Sequence, residues 1–160
     1  MRQKKIFLVV GLFFIVNYSF ACSCIGGKPN VDEAMNTSDL VFKGKLIEKK
    51  IFVIDTLWPS KKMIKYTFKV EKSYKGKKKY KITIVTGLGH GDCGYRFNLG
   101  IEYIVYAKKE KIVLPLENKI KKFFVTDICT RTTYKVKEEG KKIKAYIKQF
   151  GWLKCLYRLH

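Results

Sequence analysis

Five cysteines, Cys22, Cys24, Cys93, Cys129 and Cys155, constrain this chain more than any other residues. The first stands directly after a segment laid out like an export signal. Arg2, Lys4 and Lys5 form a basic start, Ile6 to Val16 an uninterrupted apolar run, and Ser19-Phe20-Ala21 puts small residues at the two positions a signal peptidase reads. That run of 11 residues is too short for a spanning helix, which needs about 20. Residues 1–21 are therefore expected to be a removable signal peptide, leaving 139 residues that begin at Cys22. The expected location is outside the cell or in the cell envelope, extracellular or periplasmic. Thiols pair in such a compartment, and five is odd, so one cysteine is left over. A zinc site is the competing use, but it needs paired cysteine or histidine clusters at short spacing. Cys22-x-Cys24 is too tight for a zinc knuckle and the other cysteines lie far away, which favours disulfides.

The basic excess asks a separate question. The formal net charge is +21, of which the leader carries three, so about +18 belongs to the expected mature chain. A charge of this size raises nucleic acid as a partner. Only Arg2, Arg96, Arg131 and Arg158 are arginine, however, and arginine supplies the two-pronged fork that reads phosphate and guanine. The lysines are scattered rather than gathered on one element. They read as solvated faces that keep edge strands apart, with weak, salt-sensitive attraction to anionic surfaces. No specific nucleic-acid partner is expected.

Between lysine-rich patches lie runs of β-branched and aromatic residues, the main strand signal. Asn30-Val31-Asp32-Glu33 opens a short helix, with Asn30 as N-cap and Glu33 completing a capping box, so that Ala34 and Met35 face inward. Asp39 to Ile54 is the first strand region, with Val41, Phe42, Leu46, Ile47, Ile51 and Val53 as core candidates. Trp58-Pro59-Ser60 reads as a turn. Met63 to Val70 puts Ile64, Tyr66, Phe68 and Val70 on one face, and Lys75-Gly76-Lys77 turns the chain. Tyr80 to Val85 groups Tyr80, Ile82 and Ile84. Glu102 to Lys108 is a strand through Tyr103, Val105 and Ala107, and Phe123 to Ile128 is the last, ending on Cys129.

The glycine-dense loop Gly87-Leu88-Gly89-His90-Gly91-Asp92-Cys93-Gly94 resembles a phosphate cradle only superficially. It lacks the terminal Lys-Ser/Thr and the following helix of a P-loop. His90 and Asp92 share it without a serine or cysteine nucleophile beside a base, so the chain is not expected to be an enzyme, and no cofactor is implied. From Glu138 the period changes. Ile143, Tyr146, Ile147, Phe150, Leu153 and Tyr157 fall on one helical face and Lys141, Lys144 and Lys148 on the other, with Lys154 and Gly151 as the misfits. This helix packs on the sheet or, alternatively, lies on a membrane surface. Five or six short strands with one terminal helix predict a mainly β fold, a small antiparallel barrel or a Greek-key fold. Such barrels often bind single strands through aromatics, for which Tyr66, Phe68, Tyr80, Tyr103 and Tyr106 are candidates; filling the barrel is their commoner role.

Five segments carry a family likeness. They are Cys22-Ser23-Cys24, Ser38-Asp39-Leu40-Val41-Phe42-Lys43-Gly44, Tyr74-Lys75-Gly76, Cys93-Gly94 with Phe97, Gly100 and Tyr103 to Ala107, and Thr126-Asp127-Ile128-Cys129. In this order and spacing the chain resembles the netrin-like domain family and, within it, the tissue inhibitors of metalloproteinases. The resemblance implies an OB-type five-stranded antiparallel barrel over 22–135; the amphipathic helix expected over 136–160 is read from its own period and not from the resemblance. The resemblance also implies disulfides Cys22–Cys93 and Cys24–Cys129, leaving Cys155 as a free thiol or an intermolecular link; with any other pairing Cys155 is partner to one of the other four. It also implies that the α-amino group and carbonyl of Cys22 bind the catalytic zinc of a partner endopeptidase, that Ser23 enters the pocket beside that zinc, and that Asp92-Cys93-Gly94 forms a second contact strip.

The chain departs from the inhibitors in offering no cysteine around Ala34 and no second disulfide-rich domain. Two alternatives follow: a netrin-like module that binds partners without inhibiting, or a lipoprotein acylated at Cys22. Acylation consumes the amine and thiol that chelation and the Cys22–Cys93 bridge require, so the two exclude each other.

Overall fold

The computed structural model describes residues 22–54, 62–89, 91–114 and 117–156, with side chains described through residue 150. The leader, the Trp58-Pro59-Ser60 turn, His90, Tyr157 and His160, and the side chains of Leu153, Lys154 and Cys155 lie outside the described residues.

Local signals set the first element. The Asn30 side chain accepts a hydrogen bond from the Glu33 N–H at 2.8 Å and caps helix α1, Val31–Thr37. Ala34 and Met35 are its buried face. Five strands follow: β1 Leu40–Val53, β2 Lys62–Lys75, β3 Lys81–Thr86, β4 Glu102–Leu114 and β5 Lys119–Val125. They close a barrel in the order β1-β2-β3-β5-β4. Every seam is antiparallel except that between β3 and β5, a short parallel one pairing Ile84 with Phe124 and Val85 with Val125. Helix α2, Val136–Leu156, completes the described chain.

The barrel interior is filled by Leu40, Phe42, Leu46, Ile64, Tyr66, Phe68, Ile82, Ile84, Phe97, Tyr103, Val105 and Ala107. Phe68 sits at its centre, edge-on to Phe42, Phe97 and Tyr103 with ring centroids 5.5, 5.1 and 6.2 Å away. Such pairs add roughly 0.5–1.5 kcal/mol each beyond area burial. The first half of β4 is buried on both sides. Tyr103, Val105 and Ala107 point inward, while Ile104 and Tyr106 face a second cluster made with Ala34, Met35, Val41 and Ile143. Both helices pack through that cluster, and Ile143 is the fully buried anchor of α2. Of the aromatics considered for base stacking, Tyr66, Phe68, Tyr103 and Tyr106 are core residues.

Several sequence expectations need correction. Ile47, Ile51 and Val53 are exposed rather than core. Strand β1 pairs with β4 only over Leu40–Lys45; beyond that it continues as a hairpin arm with β2, and its inward face opens to solvent. A register shift between Leu46 and Glu48 turns Ile47 outward. Tyr80 is also exposed, because β3 begins after it and its backbone serves to accept the Val70 N–H. Ile147 lies at the edge of the packed stripe of α2 and is exposed. The last strand starts before Phe123 and stops at Val125, since the Asp127 side chain folds the chain into a turn by accepting the Cys129 and Thr130 N–H groups at 2.8 Å each.

Phe68→Ala empties the centre of the aromatic cluster and is expected to destabilise the barrel by about 3–5 kcal/mol, as measured by chemical denaturation with disulfides intact. A loss below about 1 kcal/mol would contradict this placement of Phe68.

Candidate functional site

The segment before α1 lies across the barrel with no strand partner, and sulfur chemistry holds it. Cys22 is bonded to Cys93 and Cys24 to Cys129, each with Cα atoms 5.3 Å apart. This is the pairing that the family resemblance implies. The bridges span 71 and 105 residues, which in the chain-entropy treatment gives about 4–5 kcal/mol each. Ser23 is exposed between them and Ile25 projects entirely into solvent.

The two receiving cysteines sit on neighbouring loops. The Ile128 N–H donates to the Cys93 carbonyl at 2.9 Å, and Gly94 pairs with Asp127 in an isolated antiparallel bridge. Asp92 organises the first loop. Its carboxylate accepts from the backbone N–H groups of Leu88, Gly89 and Gly94, at 2.5, 2.7 and 3.1 Å. Burial pushes its pKa up, but these three donors and its own N–H outweigh that and hold the carboxyl below its ordinary range. The loop leaves no room for a side chain at Gly94, where a Cβ would stand 2.3 Å from the Gly87 carbonyl carbon and 2.6 Å from the Gly89 nitrogen. The same fold sets Cys93 at φ 56°, a left-handed conformation. Thr86 extends the support by accepting the Tyr95 N–H at 2.9 Å. Asp92, Cys93 and Gly94 thus form a stiff shelf beside Cys22.

A polar network on the other side of the segment was not anticipated from the sequence. Arg131 donates to both oxygens of Glu139 on α2, and its remaining terminal nitrogen donates to the Pro29 carbonyl at 2.9 Å. Glu139 is buried and also accepts from the Tyr106 hydroxyl at 2.6 Å. Burial, followed by that bond to Glu139, pushes the Tyr106 phenol well above its ordinary pKa. The bond to Glu139 likewise raises Arg131. Beside them the hydroxyls of Thr126 and Thr132 share the Tyr106 carbonyl, at 2.8 and 3.2 Å. The available signal was compositional: Arg131 is one of four arginines among 34 basic residues.

A cleft of about 590 Å³ lies behind residues 23–29, with Glu33, Lys108, Glu110, Asp127 and Arg131 among its walls. Among the described residues no three histidine, cysteine, aspartate or glutamate side chains are grouped to hold a metal ion, and no helix is long and apolar enough to cross a membrane.

A small crosslinked barrel of OB type, carrying an extended Cys-x-Cys strip against a glycine loop, defines a netrin-like domain. A sequence profile described as tissue inhibitor of metalloproteinase matches residues 20–143. That span is more than half of the 160 residues, and the chain belongs to the tissue inhibitor of metalloproteinase family. No individual curated protein matches it. Members of this family are metalloproteinase inhibitors rather than enzymes, and are typically extracellular.

Asp92→Asn tests the shelf. The amide keeps one oxygen for Gly89 and Gly94 but turns an NH2 group toward the Leu88 N–H. Hydrogen exchange at the Leu88 amide is expected to rise roughly tenfold, with the barrel unchanged. Because the folded Asp92 pKa lies below the unfolded one, its stabilisation is complete above the ordinary carboxylate range and is lost as pH falls through the folded value. An acid titration of the wild type should show that loss, and the Asn variant should lack it.

Proposed function

We propose that the chain, processed to begin at Cys22, inhibits zinc endopeptidases by placing the Cys22 α-amino nitrogen and carbonyl oxygen on the catalytic zinc. A catalytic zinc keeps one open position, normally held by the water that attacks the substrate. A bidentate N,O ligand displaces that water and removes the nucleophile. The amine binds in its neutral form, and an α-amino pKa near 7.7–8.0 makes that form accessible at neutral pH.

The observation that carries this reading is the double crosslink two residues apart. With Cα separations of 5.3 Å at both Cys22–Cys93 and Cys24–Cys129, the strip between them is fixed before any protease arrives. Pre-ordering a ligand lowers the entropy lost on binding. Exposed Ser23 is the residue directed at the specificity pocket, and the Asp92-Cys93-Gly94 shelf is the second contact. A lipoprotein needs the Cys22 sulfur for a thioether, and that sulfur is bonded to Cys93. Intact mass of the exported protein tests this directly, since a lipid adds several hundred daltons whereas a disulfide removes two hydrogens.

The functional test is an inhibition assay of the processed protein against a panel of zinc endopeptidases, beside a variant with one alanine added ahead of Cys22. The addition moves the amine one residue away from the carbonyl and is expected to weaken inhibition at least a hundredfold, about 2.7 kcal/mol. Inhibition that survives it unchanged rules out chelation. Inhibition by the unextended protein should strengthen as pH rises through the α-amino range.

A further inference from the structure

We propose that Arg131 is a positioning residue for the inhibitory strip: held by Glu139 of the C-terminal helix, its guanidinium fixes the Pro29 carbonyl and so the segment that returns from Cys24 to helix α1.

That segment needs fixing. Beyond Cys24 the chain passes through Ile25, which has no cover, and then Gly26 and Gly27, both at φ 79°. Two consecutive glycines in the left-handed region are the loosest backbone available. A single turn bond, from the Gly27 N–H to the Cys24 carbonyl at 3.0 Å, spans them. The disulfide fixes one end of this stretch, and the Arg131 bond to the Pro29 carbonyl fixes the other, immediately before the Asn30 cap.

Stability alone does not account for the arrangement. Taking an arginine and a glutamate out of water costs about as much as their attraction returns, and apolar replacements of similar volume are often neutral or better. Two nitrogens of the guanidinium are taken by Glu139, and the third is directed at a backbone carbonyl 102 residues away in sequence. A lysine, with one charged nitrogen, cannot serve the carboxylate and that carbonyl in this forked geometry. The other described arginine behaves alike: Arg96 donates to the Gly89 carbonyl at 3.1 Å, in the loop that carries Cys93. In a chain dominated by lysine, both described arginines hold backbone on either side of the strip.

The inhibitory consequence rests on the proposed function, whereas the fixing of the segment does not, and the experiment separates them. Arg131→Lys keeps a cation beside Glu139 and gives up the Pro29 bond. Tyr106→Phe removes a hydroxyl from the same network and leaves that bond in place, so it reports general loosening. In the processed protein with disulfides intact, amide hydrogen exchange at Gly27 and Glu33 should accelerate about tenfold in Arg131→Lys and stay near wild type in Tyr106→Phe, with Phe68 slow in both. Against a protease that the wild type inhibits, the lysine variant should bind at least tenfold more weakly and the phenylalanine variant as wild type. Exchange unchanged in Arg131→Lys, or equally accelerated in Tyr106→Phe, overturns the proposal. Weakened inhibition without faster exchange overturns it too. If the wild type inhibits no zinc endopeptidase, the proposed function fails and the exchange comparison still decides the role of Arg131.

Discussion

Residues 22–24 join no strand and stay on the barrel because two sulfur–sulfur bonds hold them there. The rest of the candidate site is arranged around those bonds. The loops that receive them are tied to each other by the Ile128–Cys93 backbone bond and the Gly94–Asp127 bridge. Each loop is shaped by an aspartate that accepts nearby backbone N–H groups, Asp92 in one and Asp127 in the other. An unfolded chain closing loops of this length loses much conformational freedom, so the same bonds that shape the site also support a modest core.

The barrel gives those loops a rigid base. The first half of β4, from Tyr103 to Ala107, is buried on both faces, which is unusual for an antiparallel strand and follows from the helices laid over its outer side. Tyr106 works at that junction: its ring packs with the outer cluster, its carbonyl accepts from threonines 126 and 132, and its hydroxyl reaches Glu139. Through Tyr106 and Arg131 the C-terminal helix, the closing loop and the N-terminal segment share one network.

Much of this was legible in the sequence because it depends on local rules. Alternation placed Ile64, Tyr66 and Phe68 on the inward face, the Asn30 cap gave the start of α1, and a helical period put Ile143 on the apolar face of α2. The errors arose where a neighbour, not the strand itself, decides exposure. Ile51 and Val53 alternate as core residues do, but β4 begins at Glu102, opposite Lys45, and does not reach them. The parallel seam between β3 and β5 depends on how the barrel closes, and period-two patterning carries no direction. The Arg131 network was hidden for a similar reason. It joins Pro29, Tyr106, Arg131 and Glu139, residues far apart in the chain, and buried ion pairs leave no periodic trace.

The charge distribution gives the crosslinks a further role. With 34 basic and 13 acidic residues, the folded chain concentrates like charge and repels itself. Acidic residues are placed where they relieve this locally, as where Lys43 contacts both Glu71 and Glu102, and those contacts raise its pKa. Exposed pairs of this kind are worth little, so relief at the surface does not hold the fold together. Covalent bonds do not weaken with salt or with net charge. Anchoring the strip by disulfides rather than by ion pairs therefore leaves lysine free to cover the surface, while the two described arginines, Arg96 and Arg131, each donate to a backbone carbonyl flanking the strip.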